Sequence, residues 1–343
     1  MTIAYIFDES VGLYHYGPKH PMKPFRIPVT HSLVKSFKLD RQMDIIKPEI
    51  KKLTYHSSQY LENLGSVETS DCPNFEGLKD FCSKYASATI NGASLLSNKK
   101  YEIVVNWAGG LHHAHKNEPS GFCFVNDIVM AILELLKTYE RVMYIDIDVH
   151  HGDGVEEAFL TNDRVLTLSL HKFGQGFFPE TGSLITSNHR AVNVPLLSGI
   201  DDTGYHHIFE QVVEHCVKKF RPTAIVMQCG ADSLAEDRLG VFNLSIPGHA
   251  HCVKFVKSYG IPLLVLGGGG YTLTNVARCW AYETAILCGR EDVDDIPQDN
   301  PFYSYFSPSY SLVPKFKKRF TNKNDKEYLD SISSFICEKI DQF

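Results

Sequence analysis

An α/β fold on a mainly parallel sheet is predicted by two features of this sequence: short apolar runs rich in β-branched residues, and stretches of helical spacing that alternate with them. The runs are Ile3 to Phe7, Ile103 to Trp107, Val142 to Val149, Val165 to Leu170, Ala191 to Val194, Ala224 to Gln228 and Pro262 to Leu266. Most are continuously apolar rather than alternating, so they are read as strands buried on both faces. Between them, Ile128, Ile132, Leu135 and Leu136, and again Ile208, Val212, Val213 and Val217, recur at helical intervals. Strands alternating with helices pair in parallel, and function then gathers on the loops leaving their carboxyl ends.

At 343 residues the chain could hold one large domain or two small ones. It contains no repeat and no low-complexity linker. Residues 1–343 are therefore assigned to one domain, in which 301–343 form a Pro- and Tyr-rich wrap (Pro301 to Pro314) and a terminal helix (Glu327 to Ile340). A hydrophobic content of 43% with 22% charged residues is that of a folded globular protein. The net charge of -6 argues against a nucleic-acid surface and favours a basic partner.

Nine cysteines stand at Cys72, Cys82, Cys123, Cys216, Cys229, Cys252, Cys279, Cys288 and Cys337 without a CxxC pair, as expected of reduced thiols in the nucleus or cytosol. Met1 to Asp8 lacks a leader pattern, and no apolar run approaches the roughly 18 to 20 residues of a membrane span, so neither secretion nor membrane insertion is expected. The Lys315 to Arg319 cluster is read as a solvated basic face in preference to a nuclear-localisation patch.

Four predicted strand ends carry residues able to bind a metal or move a proton. In Asp146-Ile147-Asp148-Val149-His150-His151-Gly152-Asp153-Gly154, strand alternation puts Asp146, Asp148 and His150 on one face. Two oxygens and a nitrogen there suit a divalent ion such as zinc, and so many carboxylates and histidines would be costly to bury without a balancing charge. Asp232, in Gly230-Ala231-Asp232-Ser233, is a third ligand candidate, although alone it reads as a helix N-cap. Gly109-Gly110-Leu111-His112-His113-Ala114 presents tandem imidazoles, one suited to act as general base and the other to stay charged, with Asp146 and Asp153 left to fix their tautomers. His206 and His207 lie in a helical stretch without acidic partners and are set aside as structural, as are His115, His249 and His251. The fourth end, Leu266-Gly267-Gly268-Gly269-Gly270-Tyr271, lacks the context of a phosphate cradle, and could place a tyrosine hydroxyl at a developing oxyanion.

Together these motifs resemble the zinc-dependent histone deacetylases, class I most closely. The resemblance also runs through His20-Pro21-Met22-Lys23-Pro24 and Ser120-Gly121-Phe122-Cys123. It implies the arginase-like fold with an eight-stranded parallel sheet, zinc on Asp148, His150 and Asp232, and hydrolysis of acetyl-lysine on histone tails. In that chemistry zinc and Tyr271 polarise the acetamide carbonyl while His113, paired with Asp153, deprotonates the attacking water and later protonates the departing amine. His112, paired with Asp146, stays largely electrostatic. Phe122 and Phe178 become tunnel walls, Gly121 its lining, Leu239 its mouth, Asp71 a rim carboxylate, and Arg26 and Cys123 parts of an inner cavity. Potassium is implied at Asp146, Asp148, His150, Ser169 and Leu170, and at Phe159, Asn162, Val165 and Tyr205. Hydroxamate inhibitors are expected to bind, and the expected compartment is the nucleus, with the cytoplasm second.

Departures from the family pattern limit the transfer. The segment between Leu64 and Asp71 is short, and Glu180 and Ser183 replace a Gly and an Asp beside Phe178. On the surface where class I members bind inositol phosphate and a corepressor, His15, Lys23 and Arg238 match, while Lys19 replaces a Gly and Thr274 an Arg. Loss of a bidentate guanidinium predicts weakened inositol-phosphate regulation. The sequence ends at Phe343, and tail-based regulation is not expected. An acetylpolyamine deacetylase and a catalytically silent corepressor scaffold are the competing readings. Asp71 speaks against the first, and Tyr271 against the second.

Overall fold

The computed structural model describes residues 2–341. Its centre is one eight-stranded sheet, comprising β1 (Ile3–Ile6), β2 (Asp44–Ile46), β3 (Ile103–Asn106), β4 (Val142–Asp146), β5 (Val165–Lys172), β6 (Ala191–Leu196), β7 (Ala224–Gln228) and β8 (Leu263–Leu266). The strands run in the order β2-β1-β3-β8-β7-β4-β5-β6 and every pairing is parallel. Seven of these runs are those read from the sequence. The eighth, β2, has two exposed residues and three in all, too little apolar signal to be read in advance.

The helices are α1 (Arg26–Ser36), α2 (Ser58–Glu62), α3 (Leu78–Ser97), α4 (Asp127–Leu135), α5 (Asp153–Phe159), α6 (Asp202–Phe220), α7 (Ile246–Lys257), α8 (Leu273–Leu287) and α9 (Lys326–Ile340). Side-chain alternation divides the core between the two sheet faces. Val142 and Tyr144 of β4 point toward α3, α4 and α5, whereas Met143 and Ile145 join α1, α6, α7, α8 and α9. Helix starts are fixed locally: the side chains of Asn126, Asp201, Ser245 and Asp325 accept backbone N–H groups from the first turns of α4, α6, α7 and α9.

The strand order decides where function gathers. The adjacent strands β3, β8, β7 and β4 end level with one another, Asn106 beside Leu266, Leu266 beside Gln228, and Gln228 beside Asp146. These are the four ends that carry the motifs. Two of them run close because Gly110, at φ +97, stands where a Cβ would meet the Gly267 carbonyl oxygen at 2.5 Å.

Candidate active site

β4 stops at Asp146, three residues short of the predicted strand end at Val149, so strand alternation is not what orients Asp148 and His150. Consecutive side-chain turns do it instead. Asp146 Oδ1 accepts the amide of Asp148 at 3.0 Å, and Asp148 Oδ1 accepts that of His150 at 3.1 Å. Asp146 itself turns away from the other two: its Oδ2 lies 2.7 Å from His112 Nδ1 and accepts the Tyr144 hydroxyl at 2.6 Å.

Asp232 sits in a short helical turn after β7 and caps no helix. Its Oδ1 accepts the Val149 amide at 2.9 Å. His150 Nδ1 therefore faces both carboxylates, 3.1 Å from Asp148 Oδ1 and 3.2 Å from Asp232 Oδ2. Gln228 Nε2 and the Gly269 amide, at 2.9 Å and 2.8 Å, hold Asp148 Oδ2 in place. Glycine is required around this trio, since a Cβ on Gly230 would come within 2.1 Å of Asp148 Oδ2 and one on Gly269 within 2.0 Å of Asp232 Oδ2.

The electrostatics of the trio call for a cation. Burial opposes charge on both aspartates. His112 and His150 hold Asp148 well below the usual carboxylate range, while burial and the charge of Asp148 push Asp232 up to about 7. Burial also works against a charged His150, but the facing carboxylates outweigh it and raise that imidazole to about 10. A proton thus concentrates where a divalent ion would bind, among donors spaced about as a tetrahedral zinc's ligands are, roughly 3 Å apart.

A second buried group of ligating atoms, His249, Cys279 and Glu283, does not fit an ion. His249 Nδ1 is 2.5 Å from Glu283 Oε1, the separation of a strong hydrogen bond and too close for two ligands of one metal. His249 instead steadies the loop of Asp232 through the Gly230 carbonyl, 2.9 Å from Nε2.

The tandem histidines of the β3 loop differ sharply. Asp127 Oδ1 and Oδ2 accept the amides of Leu111 and Gly110, which fixes the loop, and Asn126 Nδ2 donates to the carbonyl of His112. For His112 burial is unfavourable to charge, yet Asp146 and Asp148 overcome it and raise the ring to about 9. For His113 burial and the positive His112 win over Asp153, 2.7 Å away, and lower the ring to about 4. One imidazole is therefore a standing cation and the other a neutral base. His115, set aside in the sequence reading, also reaches Asp153, with Nε2 3.6 Å from its carboxylate.

Of these groups His113 and His150 line a cavity of about 330 Å³, together with Asp71, Gly121, Phe122, Phe177, Phe178, Leu239 and Tyr271. Asp71 Oδ2 accepts the Gly121 amide at 2.8 Å. Phe122 stands edge-on to Tyr271 and Phe178 edge-on to His113, while Phe178 and Leu239, 40% and 39% exposed, form the lips. Burial, followed by the charges of Asp232 and Asp148, pushes the Tyr271 hydroxyl well above its ordinary value, so it keeps its proton. Arg26 lies below, donating to the carbonyls of Gly268 and Gly270 and lining a small inner cavity with Tyr16, Met22 and Leu111. Cys123 is buried, with its thiol donating to the Gly121 carbonyl at 3.3 Å.

A family profile described as Histone deacetylase domain matches residues 20–287. The chain belongs to the histone deacetylase family. It is 48% identical to histone deacetylase B of Dictyostelium discoideum, over 98% of this chain and 86% of that one. It is 48% identical to histone deacetylase clr6 of Schizosaccharomyces pombe, over 98% and 89%. Against histone deacetylase 9 of Arabidopsis thaliana the identity is 49%, over 98% and 85%. The all-parallel eight-stranded sheet is the arginase/deacetylase fold that the resemblance implied.

Within this histone deacetylase fold, the sequence reading missed Phe177, stacked on His150 at 5.3 Å, and also Gln228, Tyr144 and Asp127. Gln228 left one trace, as the polar end of an otherwise apolar strand. The remaining expected groups are partly engaged elsewhere. Ser169 Oγ is 2.9 Å from His171 Nδ1, and the carbonyls of Phe159 and Asn162 accept the amides of Asn162 and Val165 within one turn. Lys23 Nζ donates to the carbonyls of Gly17 and Pro18, and His15 Nδ1 accepts the Gly17 amide, whereas Lys19 and Arg238 are exposed.

Proposed function

We propose that this protein hydrolyses acetyl-lysine in histone tails, with Asp148, His150 and Asp232 holding a zinc ion. The supporting observation is a cavity lined by His150 of the cation-demanding trio, by the neutral imidazole base His113 and by the protonated Tyr271. Bound there, zinc supplies a Lewis acid that polarises the acetamide carbonyl and acidifies a water. Phe122 and Phe178 flank the apolar lysine stem and exclude solvent. His113 takes the proton of the attacking water, Tyr271 donates to the oxyanion, and His113 then passes its proton to the leaving amine. His112 remains charged throughout, held by Asp146, and favours the negative transition state. Asp71 receives the substrate backbone at the rim.

Purified protein should contain one zinc and deacetylate acetylated histone-tail peptides in preference to acetylspermidine. Asp148→Ala and Asp232→Ala should each abolish zinc retention and lower turnover by at least about 10³-fold. Turnover preserved in metal-free Asp232→Ala protein would sink the assignment.

Potassium on the Asp146, Asp148, His150, Ser169 and Leu170 set and on the Phe159, Asn162, Val165 and Tyr205 set rests on family resemblance, as do nuclear residence and hydroxamate binding. Regulation by inositol phosphate through a corepressor is proposed in weakened form. Thr274 lacks the guanidinium, and Lys23 and His15 are turned to their own loop.

A further inference from the structure

Tyr271 follows four consecutive glycines, two of which, Gly268 and Gly270, hold φ of +143 and +129. A backbone with this freedom does not by itself keep a hydroxyl where an oxyanion forms. Asp237, which takes no part in the steps above, supplies the restraint. It is only 2% exposed, and its Oδ2 accepts the amides of Tyr271 at 2.7 Å and Thr272 at 3.3 Å. Its Oδ1 accepts those of Leu239 at 2.8 Å and Gly240 at 3.0 Å. The carboxylate thus ties the oxyanion donor to the tunnel lip and caps the start of α8, where Thr272 makes no side-chain cap of its own. Thr272 Oγ1, donating to the Glu236 carbonyl at 2.9 Å, adds a second tie between the two loops. Gly240 is fixed in turn, since a Cβ there would come within 1.7 Å of the Asp232 carbonyl oxygen.

From this geometry we infer that Asp237 is a positioning residue for the deacetylation proposed above, holding the Tyr271 hydroxyl in place by clamping that residue's backbone to the 237–240 segment. The inference rests on that reading of the site. It is tested with Asp237→Asn, which keeps the shape but replaces one acceptor oxygen with an NH2 that cannot accept a backbone N–H. In zinc-loaded protein kcat should fall by about 10²-fold, the loss expected for a misplaced oxyanion donor, with KM little changed. In a Tyr271→Phe background the same substitution should cost nothing further, because the hydroxyl it positions is already gone. Hydrogen exchange should quicken at the amides of Tyr271 and Thr272 and stay unchanged over Asp146 to Gly154.

Losses that multiply in the double variant, or exchange at Tyr271 that does not respond, would remove Asp237 from this role. Should Asp237→Asn fail to fold, Asp237→Glu, which keeps the charge and both acceptors, is expected to give a smaller loss that again vanishes beside Tyr271→Phe. A wild-type chain that leaves acetyl-lysine peptides intact while its Asp237→Asn variant loses protection at Tyr271 would sink the deacetylase reading and leave the clamp standing.

Discussion

Burial and a neighbour's charge give adjacent histidines opposite duties. His112 and His113 have the same intrinsic basicity and each faces an aspartate at 2.7 Å. Burial opposes charge on both, but Asp146 and Asp148 together carry His112 to about 9, whereas burial and the positive His112 outweigh Asp153 and drop His113 to about 4. A base with a lowered value is active above it, so activity should fall as the pH drops through the acid range in which His113 gains its proton. Asp153 opposes that lowering by favouring the imidazolium. Replacing it with Asn should therefore move the acidic limb of the kcat/KM profile to lower pH, while the rate on the plateau falls by roughly 10²-fold as the imidazolium loses its partner. A limb that moves upward, or does not move, would show that another group titrates there.

Loop ends, more than regular elements, shape the cavity, and glycine marks where they crowd. Gly121 holds φ +52, and a Cβ there would stand 2.3 Å from His113 Cδ2 and 2.9 Å from Phe178 Cε1. Gly121→Ala should then displace the base and narrow the tunnel together, lowering kcat/KM by at least about 10²-fold, while its melting temperature falls by only a few degrees. Activity within twofold of wild type would show that the loop yields. Glycines, histidines and aspartates at strand ends were legible in the sequence because their spacing is local and their chemistry is uncommon in combination. Asp127, Gln228 and Asp237 were not, because what they do depends on partners 16 to 118 residues away in the chain. Side-chain turns after β4 escaped notice for a different reason: Asp146-x-Asp148-x-His150 alternates as a strand does, and only the structure shows carboxylates replacing the ladder.

Strand order carries the consequence for the whole molecule. β8, late in the chain, lies between β3 and β7, and Leu264 pairs with Val104 on one side and Val226 on the other. Remove it and the sheet separates into β2-β1-β3 and β7-β4-β5-β6, with the end of β8 lost and the three remaining site-bearing ends divided between them. α3 packs across the junction of β8 with β3 and β1, since a Cβ on Gly92 would touch Leu264, Val104 and Ile6 together. Neither half then presents a sheet covered on both faces, as parallel strands require. We propose that residues 1–343 unfold as one domain. Trp107 and Trp280 stack at this seam with centroids 5.4 Å apart, so their fluorescence reports on the junction while far-UV circular dichroism reports on all helices. In urea the two transitions of the zinc-loaded protein should coincide, and a chain ended before Ile261 should yield no cooperatively unfolding fragment. A tryptophan transition that precedes the loss of helix would mean that the halves hold together without the strand joining them.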